Sequence, residues 1–99
     1  MSQNGLEPYR RLLDGLDDEI ARLLGERFEV CREIARHKLE HEIPMMQPHR
    51  VEAVREHYLA RAEEADLPAE FAADFHALLI AATCKEEDEL MAALEAERR

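Results

Sequence analysis

The sequence predicts an all-α protein with three helices, and three observations support this class. Glycine and proline are few, with 3 and 4 residues in a chain of 99, so long stretches contain no helix-breaking residue. Between the prolines, apolar residues recur at spacings of three and four, the period of an amphipathic helix. No stretch shows the strict alternation that is typical of a half-buried strand. We therefore expect a long helix, a loop, a medium helix and a third helix.

The first helix is expected over about residues 6–40. Its apolar positions are Leu13, Leu16, Ile20, Leu23, Leu24, Cys31, Ile34 and Ala35. At 1.5 Å per residue such a helix is about 50 Å long, which is too long to be covered within a monomer of this size. Periodic helices of this length usually pair with another helix, and a homodimer would complete the small core.

Prolines mark the starts of the other two helices. Pro48 suits the first turn of a helix over about residues 48–65, and Pro68 opens a third over about 68–93. Asp66 is expected to cap the third helix, whose stripe is Phe71, Phe75, Leu78, Leu79, Ala82 and Leu90. The charged residues 95–99 are expected to fray. Together residues 1–99 are predicted to form a single domain.

The charge balance excludes several classes of partner. A formal net charge of −10 leaves no basic stripe for nucleic acid or for an anionic membrane surface. The chain has no apolar run of membrane-spanning length and no apolar leader at its start, so we expect a cytoplasmic protein.

Metal and thiol chemistry are not expected either. Cys31 and Cys84 fit no disulfide or zinc spacing and are expected to be buried thiols. His37 and His41 have an i,i+4 spacing that can bind a metal, but no HExxH pattern accompanies them. We predict no metal and no cofactor.

Two cations of the first helix lie in an apolar stripe. Arg22 is an ordinary surface cation with acidic helix neighbours, whereas Arg27 has only apolar residues three and four positions away. Lys38 follows Arg27 by 11 positions, which is only about 20° from three full turns, so both project from one stripe. Cations in such a stripe are costly unless an anion binds them, and arginine and lysine together suit a small dicarboxylate. Snorkelling side chains remain the alternative explanation.

Three further positions extend this pattern. Arg10 lies about 100° from Arg27 around the helix, so it could serve the partner's pocket in a dimer. Arg50, at the start of the second helix, could close the site from the far side of the loop. Thr83 and Glu87 share one face of the third helix, a spacing that by itself carries little information.

At these residues the sequence resembles the all-helical chorismate mutases. Leu6, Arg10 and Leu16-Asp17 match the start of the family's first helix, and Leu23-Leu24-Gly25-Glu26-Arg27 matches its Leu-Leu-x-Glu-Arg. Lys38, Pro44 and Arg50 follow at the family's spacings, and the resemblance covers most of residues 6–91. It implies an entwined homodimer of three-helix subunits (the type II chorismate mutase fold).

The resemblance also implies a reaction and a role for each residue. The reaction is a [3,3] Claisen rearrangement, which requires a folded substrate and donors at the ether oxygen rather than a nucleophile or a metal. Arg27, together with Arg10 from the partner chain, would bind the two carboxylates. Lys38 would donate to the ether oxygen, and Arg50 would order the loop. The predicted catalytic residues are Lys38, Glu87 and Arg27; the predicted substrate-binding residues are Arg10, Arg27, Lys38, Gln47, Arg50, Val51 and Thr83.

Glu87 is the first departure from the family pattern. Many members have glutamine there, which donates a hydrogen bond to the ether oxygen. Glutamate can donate only when it is protonated, so we expect activity to fall as Glu87 ionises.

The second departure surrounds Arg50. Typical members have glutamate next, which accepts from the 4-hydroxyl, and an often acidic residue earlier in the loop; here these positions hold Val51 and Gln47. The stretch 44–51 looks like that of members acting on 4-amino-4-deoxychorismate to give 4-amino-4-deoxyprephenate. Ordinary chorismate mutase activity, isochorismate-pyruvate lyase activity and a non-catalytic helical dimerisation module remain the alternatives.

Overall fold

Three helices account for most of the chain. The computed structural model describes residues 4–44 and 47–98. Helix α1 spans Glu7–Glu40, α2 spans Pro48–Glu64 and α3 spans Ala69–Arg98, and no strand occurs within these described ranges. The all-α prediction is confirmed. The expected fraying of the last residues is wrong for 95–98, which continue α3.

The chain divides into two units between Val30 and Cys31. The first contains the N-terminal part of α1. The second contains the last turns of α1 together with α2 and α3.

The first unit carries its apolar stripe on the surface. Every described residue from 4 to 23 is exposed. Leu12 is 65% exposed and Leu16 is 59% exposed, and Leu13, Ile20 and Leu23 are also more than half exposed. The predicted amphipathic pattern is therefore present, and its apolar side is exposed in the described residues of this unit.

Arg22 forms the surface ion pairs expected from its helix neighbours. Its guanidinium lies 2.8 Å from the carboxylates of Glu19 and Glu26. The hydrogen bond from Arg22 lowers the pKa of Glu19, and Glu19 in turn raises the pKa of Arg22. Exposed pairs of this kind contribute little to stability because water and salt screen them.

In the second unit, α2 packs against α3 through aromatic rings. The Tyr58 ring stacks on His76 at a centroid distance of 5.2 Å and lies 6.1 Å from Phe75. Ala62 and Ala72 are buried and allow the two helices to approach closely.

The turn between α2 and α3 places Asp66 differently from expectation. Asp66 adopts a left-handed backbone (φ 63°), the Leu67 N–H donates to the Ala62 carbonyl, and the Asp66 N–H donates to the Glu63 carbonyl. These are the two bonds of a Schellman motif, so Asp66 ends α2 rather than capping α3. Pro68 accepts the first helical bond of α3, from the Ala72 N–H. Aspartate tolerates the left-handed region better than most residues, which explains its place there.

Helix α1 ends in the same way. Glu42 has a φ of 54°, and the Ile43 N–H donates to the Lys38 carbonyl at 2.8 Å. This motif turns the chain sharply directly after the turn that carries Lys38.

The buried face of α3 differs from the predicted apolar stripe. The buried residues are Ala72, His76, Leu79, Thr83 and Glu87, which are spaced by three or four positions and so share one face. Leu78, by contrast, is 69% exposed, and Phe71 is also exposed. The sequence prediction placed only apolar residues on the buried face of α3, whereas within one chain this face also carries polar residues.

The two cysteines are half-buried rather than buried, and no disulfide joins them. No helix in the described ranges is long and apolar enough to cross a membrane.

Candidate active site

A buried ion pair joins α1 to α3. Lys38 Nζ lies 4.0 Å from Glu87 Oε1, and the two side chains are only 17% and 10% exposed. Burying a charge is costly unless an opposite charge accompanies it. The sequence predicted both residues for the site, and the fold brings them together from helices far apart in the chain.

The space around this pair is wider than ordinary helix packing. Within the described part of the second unit, no Cα atom of α1 lies within 8 Å of one in α3, although α2 and α3 do approach that closely. Long side chains therefore bridge the two helices. A cavity of about 460 Å³ next to Lys38 is lined by residues that include Ile43, Pro44 and Met91.

Thr83 lies one turn before Glu87 on the buried face of α3. Its hydroxyl is positioned to donate to the carbonyls of Leu79 (3.0 Å) and Ile80 (3.2 Å). Because the hydroxyl donates its hydrogen bond to the helix backbone, the lone pairs of the Thr83 oxygen remain able to accept a hydrogen bond from another donor.

In the first unit, Arg27 has the signature of an anion-binding residue. Its side chain is half-buried, and its Nη1 atom is buried without a hydrogen-bond partner among the described residues. Leaving a buried N–H group unsatisfied costs about 1–3 kcal/mol, and more when the group is charged. Such a cost is recovered when a carboxylate binds.

The other predicted residues are exposed in the single chain. Arg10 lies in the first turns of α1, and Gln47 occupies the N-cap position of α2 without a side-chain capping bond. Arg50 and Val51 lie in the first turn of α2, where their N–H groups donate to the Gln47 carbonyl. Met45 and Met46, in the same stretch, lie outside the described residues.

A second ion pair between α1 and α3 was not predicted from the sequence. Arg32 Nε donates to Glu86 Oε1, and both side chains are about one-third exposed. Glu86 lies in the acidic run 86–89, and its side chain is 35% exposed. The helix neighbours of Arg32 do not single it out, because Phe28 and Ala35 are apolar whereas Glu29 and Arg36 are charged.

Two histidines, His37 and His41, lie close together near the end of α1. The rings of His37 and His41 are 4.2 Å apart. Within residues 4–44 and 47–98, no group of three or more His, Cys, Asp or Glu side chains is arranged to hold a metal ion.

Comparison with known proteins identifies the family. A family model described as chorismate mutase type II matches residues 9–88. The chain belongs to this family. It is therefore an isomerase of the chorismate mutase class, with the all-α fold of that class.

Two curated relatives are similar over most of the chain. One, a 4-amino-4-deoxychorismate mutase of Streptomyces venezuelae, is 34% identical over 89 residues, which cover 90% of this chain and 86% of the relative. The other, a 4-amino-4-deoxychorismate mutase of Streptomyces pristinaespiralis, is 31% identical over 87 residues, which cover 88% of this chain and 67% of the relative.

The unsatisfied guanidinium of Arg27 leads to a prediction that separates binding from stability. In Arg27→Met the free energy of unfolding should stay within about 1 kcal/mol of the parent, because Nη1 contributes no hydrogen bond to the described fold. Mutase turnover should fall at least a hundredfold, or about 2.7 kcal/mol, because an anion-binding donor is lost. Urea unfolding and steady-state kinetics measure the two effects.

Arg22→Met is the matched control, since its guanidinium is exposed and pairs only with its helix neighbours in the described contacts. This variant should retain turnover. A large loss of stability with unchanged turnover in Arg27→Met would show that Arg27 is a structural residue.

Proposed function

We propose that the chain is a cytoplasmic homodimer that converts 4-amino-4-deoxychorismate to 4-amino-4-deoxyprephenate by a [3,3] rearrangement. The observation that carries this proposal is the buried Lys38–Glu87 pair in a family whose chemistry needs donors at an ether oxygen. The choice of substrate is supported by the names of both relatives. Gln47 and Val51, where acidic residues accompany a 4-hydroxyl substrate, support the same choice.

The reaction requires the substrate to adopt one conformation and requires positively charged donors close to its ether oxygen. The enolpyruvyl arm must fold over the ring, so fixing both carboxylates removes most of the entropic cost. As the ether bond breaks, negative charge grows on its oxygen, and donors already oriented towards that atom lower the barrier.

Lys38 and Glu87 are well spaced to supply those donors. Atoms that lie 4.0 Å apart can both reach a single oxygen at ordinary hydrogen-bond distances of about 2.9 Å. In this proposal Lys38 donates from its ammonium group, and Glu87, which is paired with Lys38 in the free protein, takes up a proton when the dicarboxylate binds and then donates from its carboxyl group. Thr83 contributes a polar wall one turn away.

The arginines bind the ends of the substrate. Arg27 takes one carboxylate through its unsatisfied Nη1, and Arg10 of the partner chain takes the other. Arg50 lies in the first turn of α2, where it orders the loop over the substrate together with Gln47 and Val51.

The homodimer is supported by the exposed stripe of the first unit. Leucines and isoleucine along α1 would lose most of their contact with water if a second copy of α1 covered them, and apolar burial stabilises by about 25 cal/mol per Å². A contiguous exposed apolar face on an otherwise highly charged chain is typical of an interface.

The substrate proposal predicts a ranking of turnover. Purified protein should give the highest kcat/KM with 4-amino-4-deoxychorismate, because an acidic acceptor for the 4-hydroxyl is lacking at residues 47 and 51. Chorismate and isochorismate should be poorer by tenfold or more, or about 1.4 kcal/mol. Product analysis by chromatography distinguishes rearrangement from release of pyruvate.

A variant with an acidic residue at position 51 provides the control for this ranking of substrates. Val51→Glu should shift preference towards chorismate, whereas Val54→Glu, one turn further along α2, should not. Preference for chorismate in the parent would overturn the substrate, and pyruvate release would overturn the reaction type.

A shared active site predicts complementation between two inactive variants. Arg10→Ala and Arg27→Ala homodimers should each lose most turnover. After unfolding and refolding together, half of the dimers are mixed, and each mixed dimer has one complete site if Arg10 acts across the interface. Turnover should then recover to about one quarter of the parent value.

No recovery in a mixture that sedimentation shows to be dimeric would place Arg10 in the site of its own chain. A monomeric parent protein would overturn the homodimer itself.

The protonation state of Glu87 predicts how turnover depends on pH. Burial favours the protonated acid, a dicarboxylate substrate adds to this effect, and Lys38 opposes it. Since only the protonated form donates, kcat should fall as pH rises and Glu87 ionises. Glu87→Gln donates at every pH and should abolish this fall.

The measurement is a pH–rate profile over roughly pH 5 to 9, a range wide enough to include a shifted carboxyl group. A flat parent profile, or a Glu87→Gln protein without activity at high pH, would contradict this role.

A further inference from the structure

The Arg32–Glu86 pair links the same two helices as the proposed catalytic pair. Glu86 and Glu87 are consecutive residues of α3, and Arg32 and Lys38 lie on α1 within about two turns of each other. Both pairs span the same wide gap between the helices. Neither the family match nor the relatives assign a role to Arg32.

Two adjacent carboxylates at this point create a competition. Each could attract the Lys38 ammonium, and Coulomb attraction at partly buried positions is several-fold stronger than in water. Arg32 donates to Glu86, whereas Lys38 contacts Glu87 at 4.0 Å. The guanidinium thus satisfies the charge of Glu86 and leaves the ammonium for Glu87.

A second consequence concerns the substrate. An uncompensated carboxylate on Glu86 would repel a dicarboxylate substrate. The side chains of Arg32 and Glu86 are 37% and 35% exposed, so solvent screens this pair only in part.

We propose that Arg32 is a positioning residue that acts through Glu86 to keep Lys38 directed at Glu87 and the substrate. This inference rests on the proposed function, because it assigns Lys38 and Glu87 to the reaction. Arg32 itself does not contact the substrate. Arg32 acts on Lys38 by neutralising the charge of Glu86.

The test is a double-mutant cycle on turnover. Arg32→Met should lower kcat by about tenfold to a hundredfold with a smaller change in KM, because a displaced donor costs this much at the reacting atoms. Glu86→Gln should cost little, since it removes the competitor. The double variant Arg32→Met/Glu86→Gln should return to the kcat of Glu86→Gln, because no charge then remains to neutralise.

A second readout needs no substrate. The coupling between Lys38 and Glu87 is measured by urea unfolding of Lys38→Met, Glu87→Gln and the double variant, first with Arg32 present and then with Arg32→Met. Loss of the coupling in the Arg32→Met background supports the proposal. If the parent has no turnover with any of the three substrates, the proposed function fails while this measurement still decides the positioning role.

Arg61→Met is the matched control, because Arg61 also pairs with a glutamate, Glu64 at 2.9 Å, but on the exposed side of α2. It should leave turnover unchanged. A rise in KM alone that Glu86→Gln does not rescue would make Arg32 a substrate contact, and unchanged kcat with intact coupling would overturn the inference.

Discussion

Charge pairing across the gap between α1 and α3 is the constraint on which the site depends. The backbones of these helices do not approach within 8 Å in the described second unit, so side chains must span the distance between them. Only long charged residues can do this while remaining solvated or paired. Lys38 with Glu87, and Arg32 with Glu86, therefore connect the helices and at the same time leave space between them.

That arrangement explains how an acidic chain can bind an acidic molecule. A net charge of −10 is spread over the surface, where solvent and salt screen it beyond about 10 Å. Within the site the relevant charges are the few that are shielded from water. In the second unit one such charge is the Lys38 ammonium, whose side chain is only 17% exposed.

The sequence was sufficient to predict the three helices and to single out both residues of the Lys38–Glu87 pair. It did not predict the Arg32–Glu86 pair. Helix period and proline positions are local properties, so the elements could be read directly. Lys38 stood out because it interrupts an apolar stripe, and Glu87 because the family resemblance assigned it a place. The Arg32–Glu86 pair depends on how α1 and α3 are rotated about their axes, which no local pattern records.

Two other differences between the sequence prediction and the structure also arise from tertiary packing. Asp66 looked like a helix cap because aspartate favours that position, yet the tertiary turn uses its tolerance of a left-handed backbone. The buried face of α3 includes Thr83 and Glu87 because burial follows packing, whereas the apolar residue Leu78 faces away from the rest of its own chain.

The small size of the buried apolar side chains has a consequence for the stability of the protein in a cell. The buried apolar residues of the described chain are Ala35, Ala62, Ala72 and Leu79, and three of these four have only a methyl group. In the proposed homodimer, a fold with so little interior of its own would draw much of its free energy of unfolding from association, so its melting temperature would depend on protein concentration. In such a dimer, dilution would lower the folded fraction of the chains as well as their total activity.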